Sequence, residues 1–125
     1  CITPFGLDIG ERLVRLAKER LPEFDANMLV GNAFDWRPPV RFDYVRTELV
    51  YVPEAYQKQY IERLRREFLT ADGALLVCEY RSSKNDSRVP CVDEVLRGYG
   101  FDAAECRSAV YEGKELTRAV LLRRD

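Results

Sequence analysis

The sequence predicts an α/β fold: a mostly parallel sheet flanked by helices and finished by an antiparallel hairpin. Three observations predict it. Strand-like and helix-like segments alternate along most of the chain, and such alternation builds a parallel sheet with helices on its faces. Residues 74–80 form an almost unbroken apolar run, as a strand buried on both faces requires. Residues 101–111 and 116–123 flank Glu112-Gly113-Lys114, a spacing that folds two strands back on each other.

Taken in order, residues 4–9 read as the first strand. Residues 11–21 read as a helix, with Leu13, Leu16, Ala17 and Leu21 at three- and four-residue steps on the face expected to be buried and Val14 beside them. Pro22 ends it. Residues 27–31 read as a short strand with Met28-Leu29-Val30 at its core, and residues 32–40 as a loop carrying Phe34, Asp35 and Trp36. Residues 42–47 form the next strand. Pro53 suits the first turn of a long helix running to about Leu69, whose stripe is Tyr56, Tyr60, Leu64 and Phe68, widened by Ile61. Asp72-Gly73 reads as a turn before the apolar run. A polar loop spans residues 81–90, a short helix residues 91–97, and Gly98 and Gly100 stop that helix.

Composition narrows the function classes. The chain has 125 residues, 46% hydrophobic and 33% charged, and this fits one soluble globular domain over residues 1–125. A net charge of −1 argues against a nucleic-acid partner, which needs a basic face. No apolar run approaches the roughly 20 residues of a membrane span, and no secretory signal pattern opens the chain, so the expectation is a cytoplasmic protein. There is no His, which removes His-based triads, bases and metal ligands. Cys1, Cys78, Cys91 and Cys106 match neither a zinc spacing nor a redox pair, so reduced thiols and no metal are expected. Cys78 reads as a small buried hydrophobe.

Three sites carry residue types suited to a nucleotide. Asp8 ends the first strand, where a carboxylate can accept from both ribose hydroxyls; it could equally cap the helix that follows. Gly31-Asn32-Ala33 follows the next strand. A small residue there lets the backbone approach a flat ring, the Asn32 oxygen could accept from an adenine amine, and the Ala33 N–H could donate to a ring nitrogen; a plain turn is the competing reading. Arg46-Thr47-Glu48-Leu49 follows residues 42–45 at a strand end, where ligands sit in open α/β sheets.

Together these marks resemble the class I S-adenosylmethionine-dependent methyltransferases, a Rossmann-like family. Gly6-Leu7-Asp8-Ile9 is similar to the family's second strand and ribose-binding acid, and Val30-Gly31-Asn32-Ala33 to its adenine-contacting segment, with Asn32 where the family often has Asp. Phe42-Asp43-Tyr44-Val45 resembles the fourth strand, and Asp72-Gly73-Ala74-Leu75-Leu76-Val77 the fifth with its preceding turn. Leu96-Arg97-Gly98-Tyr99-Gly100-Phe101 resembles the step into the terminal hairpin. The resemblance implies S-adenosylmethionine as cofactor, contacted by Asp8, Ile9, Asn32, Ala33 and Arg46, and a small-molecule methyl acceptor. Glu48 and Tyr51 are the candidates for a base or for orienting the acceptor, and Phe34 and Trp36 for pocket walls or core.

One departure is large. Only Cys1 to Phe5 precede the first strand, so the family's own first strand and glycine-rich loop are missing and the domain reads as incomplete at its N-terminus. In the family that strand lies mid-sheet, between the second and fourth. Its loss is expected to leave two strand edges unpaired, making the fragment marginally stable and its cofactor binding weak or absent. Three rival readings stay open: a nicotinamide-binding Rossmann fragment, a degenerate methyltransferase-like binding or scaffold domain, and an incomplete gene product with no function of its own.

Overall fold

A computed structural model describes residues 1–81 and 89–124; most of the loop expected over residues 81–90 lies outside them. The chain forms two compact units, Cys1–Arg37 and Pro38–Asp125.

In the first unit, β1 (Gly6–Asp8) pairs in parallel with β2 (Met28–Val30), with Leu7 opposite Leu29. Between them runs α1 (Glu11–Arg20), with Glu11 in its first turn and Lys18 and Arg20 in its last, signs that suit the helix dipole. The sequence placed a leucine stripe on the buried side. The structure corrects this: Val14 is the buried residue of α1, while Leu13 is 58% exposed and Leu16 38%. The two-stranded sheet is too narrow to cover a stripe wider than Val14 and the half-buried Ala17.

The second unit carries a four-stranded sheet in the order β3-β4-β6-β5. β3 (Phe42–Glu48) and β4 (Leu69–Tyr80) are parallel. β6 (Lys114–Arg123) runs antiparallel to β4 and to β5 (Cys106–Tyr111). Leu75 faces Leu122 and Val77 faces Val120 across the β4–β6 ladder, and all four are at most 2% exposed. β4 is the buried strand that its apolar run predicted. Its start differs from the expected turn: β3 residues Phe42 and Tyr44 pair with Leu69 and Ala74, so β4 bulges at residues 70–73. A Cβ on Gly73 would stand 3.0 Å from the carbonyl oxygens of Phe42 and Thr70, a crowding of backbone that favours glycine in the bulge.

The long helix is shorter than expected. α2 (Glu54–Arg63) gives way to a π-helical turn over Leu64–Phe68. In an α-helix a stripe repeating every four residues precesses by about 40° per step. The slower winding of a π turn reverses that drift and keeps Tyr60, Leu64 and Phe68 in the core, each at most 4% exposed. Tyr56, one step earlier, is carried out of the core and is 50% exposed.

α3 (Val92–Gly98) begins at Cys91, whose N–H donates to Glu94 Oε2 at 2.8 Å in a capping box. Gly100, at φ +94°, supports the expected stop. Residues 101–105, assigned to a strand from sequence, are not strand; β5 begins at Cys106. The hairpin turn is as expected, Glu112 and Gly113 both having positive φ (49° and 73°), the pattern of a type I′ turn.

Among the described residues β1 pairs only with β2, and β3 only with β4. Each therefore carries one unpaired edge, as expected from the sequence.

Candidate functional site

In the first unit, Asp8 and Asn32 both make local turns. Gly10 N–H donates to Asp8 Oδ1 at 2.7 Å, where Gly10 is the residue that starts α1. This closes an Asx turn just ahead of α1 and does not cap it, since the N-cap residue is Gly10 and no side chain caps the helix; Asp8 and Ile9 stay exposed at the C-terminal end of β1. Gly31 N–H donates to the Asp8 carbonyl at 3.0 Å, which brings the two segments side by side. Asn32 Oδ1 accepts from Phe34 N–H at 3.0 Å, and the Asn32 carbonyl accepts from Trp36 N–H at 2.8 Å. The plain-turn reading is thus realised as well. A side-chain oxygen has two lone pairs, so neither Asp8 nor Asn32 is exhausted as an acceptor.

The space over Gly31 is taken by a ring of the chain itself. A Cβ on Gly31 would stand 2.7 Å from Trp36 Cδ1 and 3.1 Å from Leu7 Cδ1. The ring is the chain's own indole. Sequence reasoning took Trp36 as wall or core but missed that it closes on Gly31, five residues earlier.

In the second unit, β3 alternates its side chains. Arg46 and Glu48 share one face and Thr47 takes the other. Thr47 Oγ1 and Tyr60 Oη are 2.7 Å apart in the core, and burial raises the Tyr60 phenol above its usual value although the Thr47 bond works against it. Arg46 donates to Glu48 Oε1 at 2.8 Å and to Tyr80 Oη at 3.2 Å, and lies 5.7 Å from the Tyr80 ring centroid. Burial alone would lower the Arg46 pKa, but Glu48 and Tyr51 outweigh it and raise it. Arg46, expected as a cofactor contact, therefore forms one cluster with Glu48 and Tyr51. Glu48 stands as an ion-paired carboxylate, its Oε1 held by Arg46.

Next to this cluster lies a cavity of about 660 Å³, reached by Glu48, Leu49 and Cys78 at the C-terminal ends of β3 and β4, and by Val92, Val95 and Tyr99 of α3 and its end. Cys78 lines this cavity and is only half-buried, so it departs from the expected core thiol; burial raises its pKa. The described cysteines are all free thiols.

A second charged group has no counterpart among the candidates read from the sequence. Asp93 is 7% exposed and pairs with Arg118 at 2.6 Å and Arg97 at 2.9 Å, while Arg118 also binds both oxygens of Glu115 at 2.9 Å. Arg81 Nη2 donates to Cys91 Sγ at 3.0 Å, and its Nε lies 3.6 Å from Glu79 and 3.9 Å from Glu115. Glu79, Cys91 and Glu115 could geometrically hold a metal ion, their donor atoms lying within 4.8 Å of one another. The Arg81 guanidinium supplies the positive charge these groups call for.

The chain's backbone is similar to those of solved methyltransferases. One is the magnesium protoporphyrin IX methyltransferase of Synechocystis PCC 6803, solved with bound SAM (TM-score 0.60, 17% identity, 97% of this chain, 59% of that one). Another is the TehB-like SAM-dependent methyltransferase of Corynebacterium glutamicum (0.68, 17%, 97% and 67%). The [4+2]-cyclase SpnF is comparably close (0.66, 14%, 98% and 66%). The chain thus spans about six- to seven-tenths of these proteins. No protein-family model and no curated protein sequence matches it. The fold is that of the SAM-dependent methyltransferases, as the resemblance implied. Among the described residues no helix is long and apolar enough to cross a membrane.

Proposed function

We propose that this chain is part of a domain that transfers a methyl group from S-adenosylmethionine to a small-molecule acceptor. The observation that carries the reading is the pairing of Asp8 and Asn32. Both are polar acceptors at the C-terminal ends of adjacent parallel strands, joined through the Gly31–Asp8 backbone bond, in a fold shared with SAM-dependent methyltransferases. In this reading the second oxygen of Asp8 meets the ribose hydroxyls, Asn32 meets the adenine edge, and Trp36 walls the ring.

Methyl transfer is an in-line displacement at a sulfonium methyl. The leaving thioether is good, so positioning supplies much of the rate. Arg46 holds Glu48 in place to orient an acceptor, and Tyr51 adds a hydroxyl. A base is required only where the acceptor must lose a proton.

The test is an NMR titration of the chain with S-adenosylhomocysteine and, separately, NAD. The expected result is millimolar-range shifts at Asp8–Gly10, Asn32, Ala33 and the Trp36 indole with S-adenosylhomocysteine, reduced about tenfold in affinity by Asp8→Ala. Shifts with NAD alone would assign the domain to nicotinamide binding. Silence to both would leave the scaffold reading.

A further inference from the structure

The N-terminal ends of β3 and β4 lie at the opposite end of the sheet from Glu48, and they carry charged groups that the methyl-transfer reading does not use. Arg41, just before β3, donates through Nη1 to the Arg66 carbonyl at 2.7 Å and to the Leu69 carbonyl at 3.0 Å. β6 runs antiparallel to β4, which brings its last residues to the start of β4. There Arg124, just after β6, donates through Nη1 to the same Leu69 carbonyl at 3.2 Å, and its backbone N–H donates to the Gly73 carbonyl at 3.3 Å. Leu69 is fully buried, so the oxygen on which both cations converge belongs to a residue anchored in the core.

Charge is not balanced at this place. Elsewhere in the second unit Arg46, Arg63, Arg81, Arg97, Arg118 and Arg123 each pair with a carboxylate. Among the described residues no carboxylate pairs with Arg41 or Arg124. Asp43, two residues beyond Arg41, instead accepts from Thr70 Oγ1 at 3.1 Å, and Glu67 is held by Arg63 and Arg66. The accepting carbonyls close the helical run that ends at Phe68, and a helix C-terminus carries only about half a negative charge. That offsets part of one guanidinium and leaves the second. Two cations held on one oxygen repel each other, and an anion shared between them removes the repulsion. A guanidinium has five N–H donors. The bonds to Arg66 and Leu69 use at most two from Arg41 and one from Arg124, so both forks keep donors for a ligand. Paired guanidinium forks match the oxygens of a phosphate group.

We infer that Arg41 and Arg124 form a binding site for a phosphate dianion, free or as a monoester, at the N-terminal ends of β3 and β4. The site stands independently of the methyl-transfer reading.

The experiment titrates the 125-residue chain with inorganic phosphate and with phenyl phosphate, against sodium chloride at matched ionic strength, following the Nε–H resonances of Arg41 and Arg124. Saturable shifts with a dissociation constant in the millimolar range are expected for phosphate, and none for chloride. Arg41→Gln and Arg124→Gln should each weaken binding about tenfold. Arg107→Gln removes an exposed arginine of β5 bonded to the Cys106 carbonyl and should leave binding unchanged. Binding of inorganic phosphate alone points to the free ion, and binding of phenyl phosphate to a phosphate-bearing molecule; each upholds the site. Shifts that do not saturate, that chloride reproduces, or that Arg107→Gln weakens equally would overturn it. The comparison of phosphate with chloride on the unsubstituted chain decides the matter even if a variant fails to fold.

Discussion

Residues 1–37 hold two three-residue strands, one α-helix and a 3₁₀ segment over Pro22–Asn27, and Val14 and Met28 are their buried apolar residues. Residues 38–125 hold a four-stranded sheet whose central strand, β4, is twelve residues long and paired on both sides, with Leu75, Val77, Val120 and Leu122 sealed beneath it. Yet the shorter unit carries both nucleotide-type acceptors, Asp8 and Asn32, on backbone that little buried surface restrains. Candidate ligand contacts and cohesion are thus placed in different parts of the chain. Segments with few buried contacts open at the lowest free energy, so a ligand held by these candidates would have the most to order.

The strongest way to break this comparison is a pair of truncations. Leu75→Ala should destabilise the second unit by about 3–4 kcal/mol, read as loss of amide protection throughout β4 and β6. Met28→Ala should remove protection from residues 1–37 alone, leaving β4 protected. Equal loss in both units from Met28→Ala would show one cooperative fold and void the contrast.

Acid titration sharpens the comparison. Burial alone would raise the Asp93 carboxyl, but its pairs with Arg118 and Arg97 outweigh this and hold it below the ordinary 3.8. A depressed folded pKa stabilises fully above the unfolded value, and the contribution is lost as pH falls through the folded one. The second unit should therefore weaken below about pH 3.8, and Asp93→Asn should cost about 2–4 kcal/mol at neutral pH while flattening that acid limb. A variant as acid-sensitive as the parent would assign the loss to other carboxylates. The smallest effect is expected at the hairpin. Glu112 holds a φ of 49°, which Asn tolerates better, so Glu112→Asn should add about 0.5–1 kcal/mol to the second unit, visible as a slightly higher Tm.

What the sequence disclosed follows the range of the interactions concerned. β4, a terminal hairpin and the alternation of elements are local patterns, and they were legible, although the two-residue type I′ geometry of the turn was not. So was the polar strand end that carries Arg46 and Glu48, but not the bond that ties Arg46 to Glu48. The leucine stripe of α1 misled because periodicity records which face is apolar, not whether a neighbouring sheet is wide enough to cover it. The π turn at Leu64–Phe68 and the bulge at Gly73 are adjustments to packing against distant residues, and no local rule announces them. The Asp93–Arg118 pair joins residues 25 positions apart, and without a fold in hand neither charge differs from a solvated one.

Trp36 is the only tryptophan of the chain, and it belongs to the less buried unit, laid against Gly31. Its emission is consequently a private optical channel for residues 1–37. Intrinsic fluorescence excited at the indole band registers the state of that unit beside the two candidate nucleotide contacts, while the four-stranded sheet, whose fluorophores are tyrosines, stays dark at those wavelengths. Far-ultraviolet dichroism, dominated by the larger unit, supplies the complementary trace.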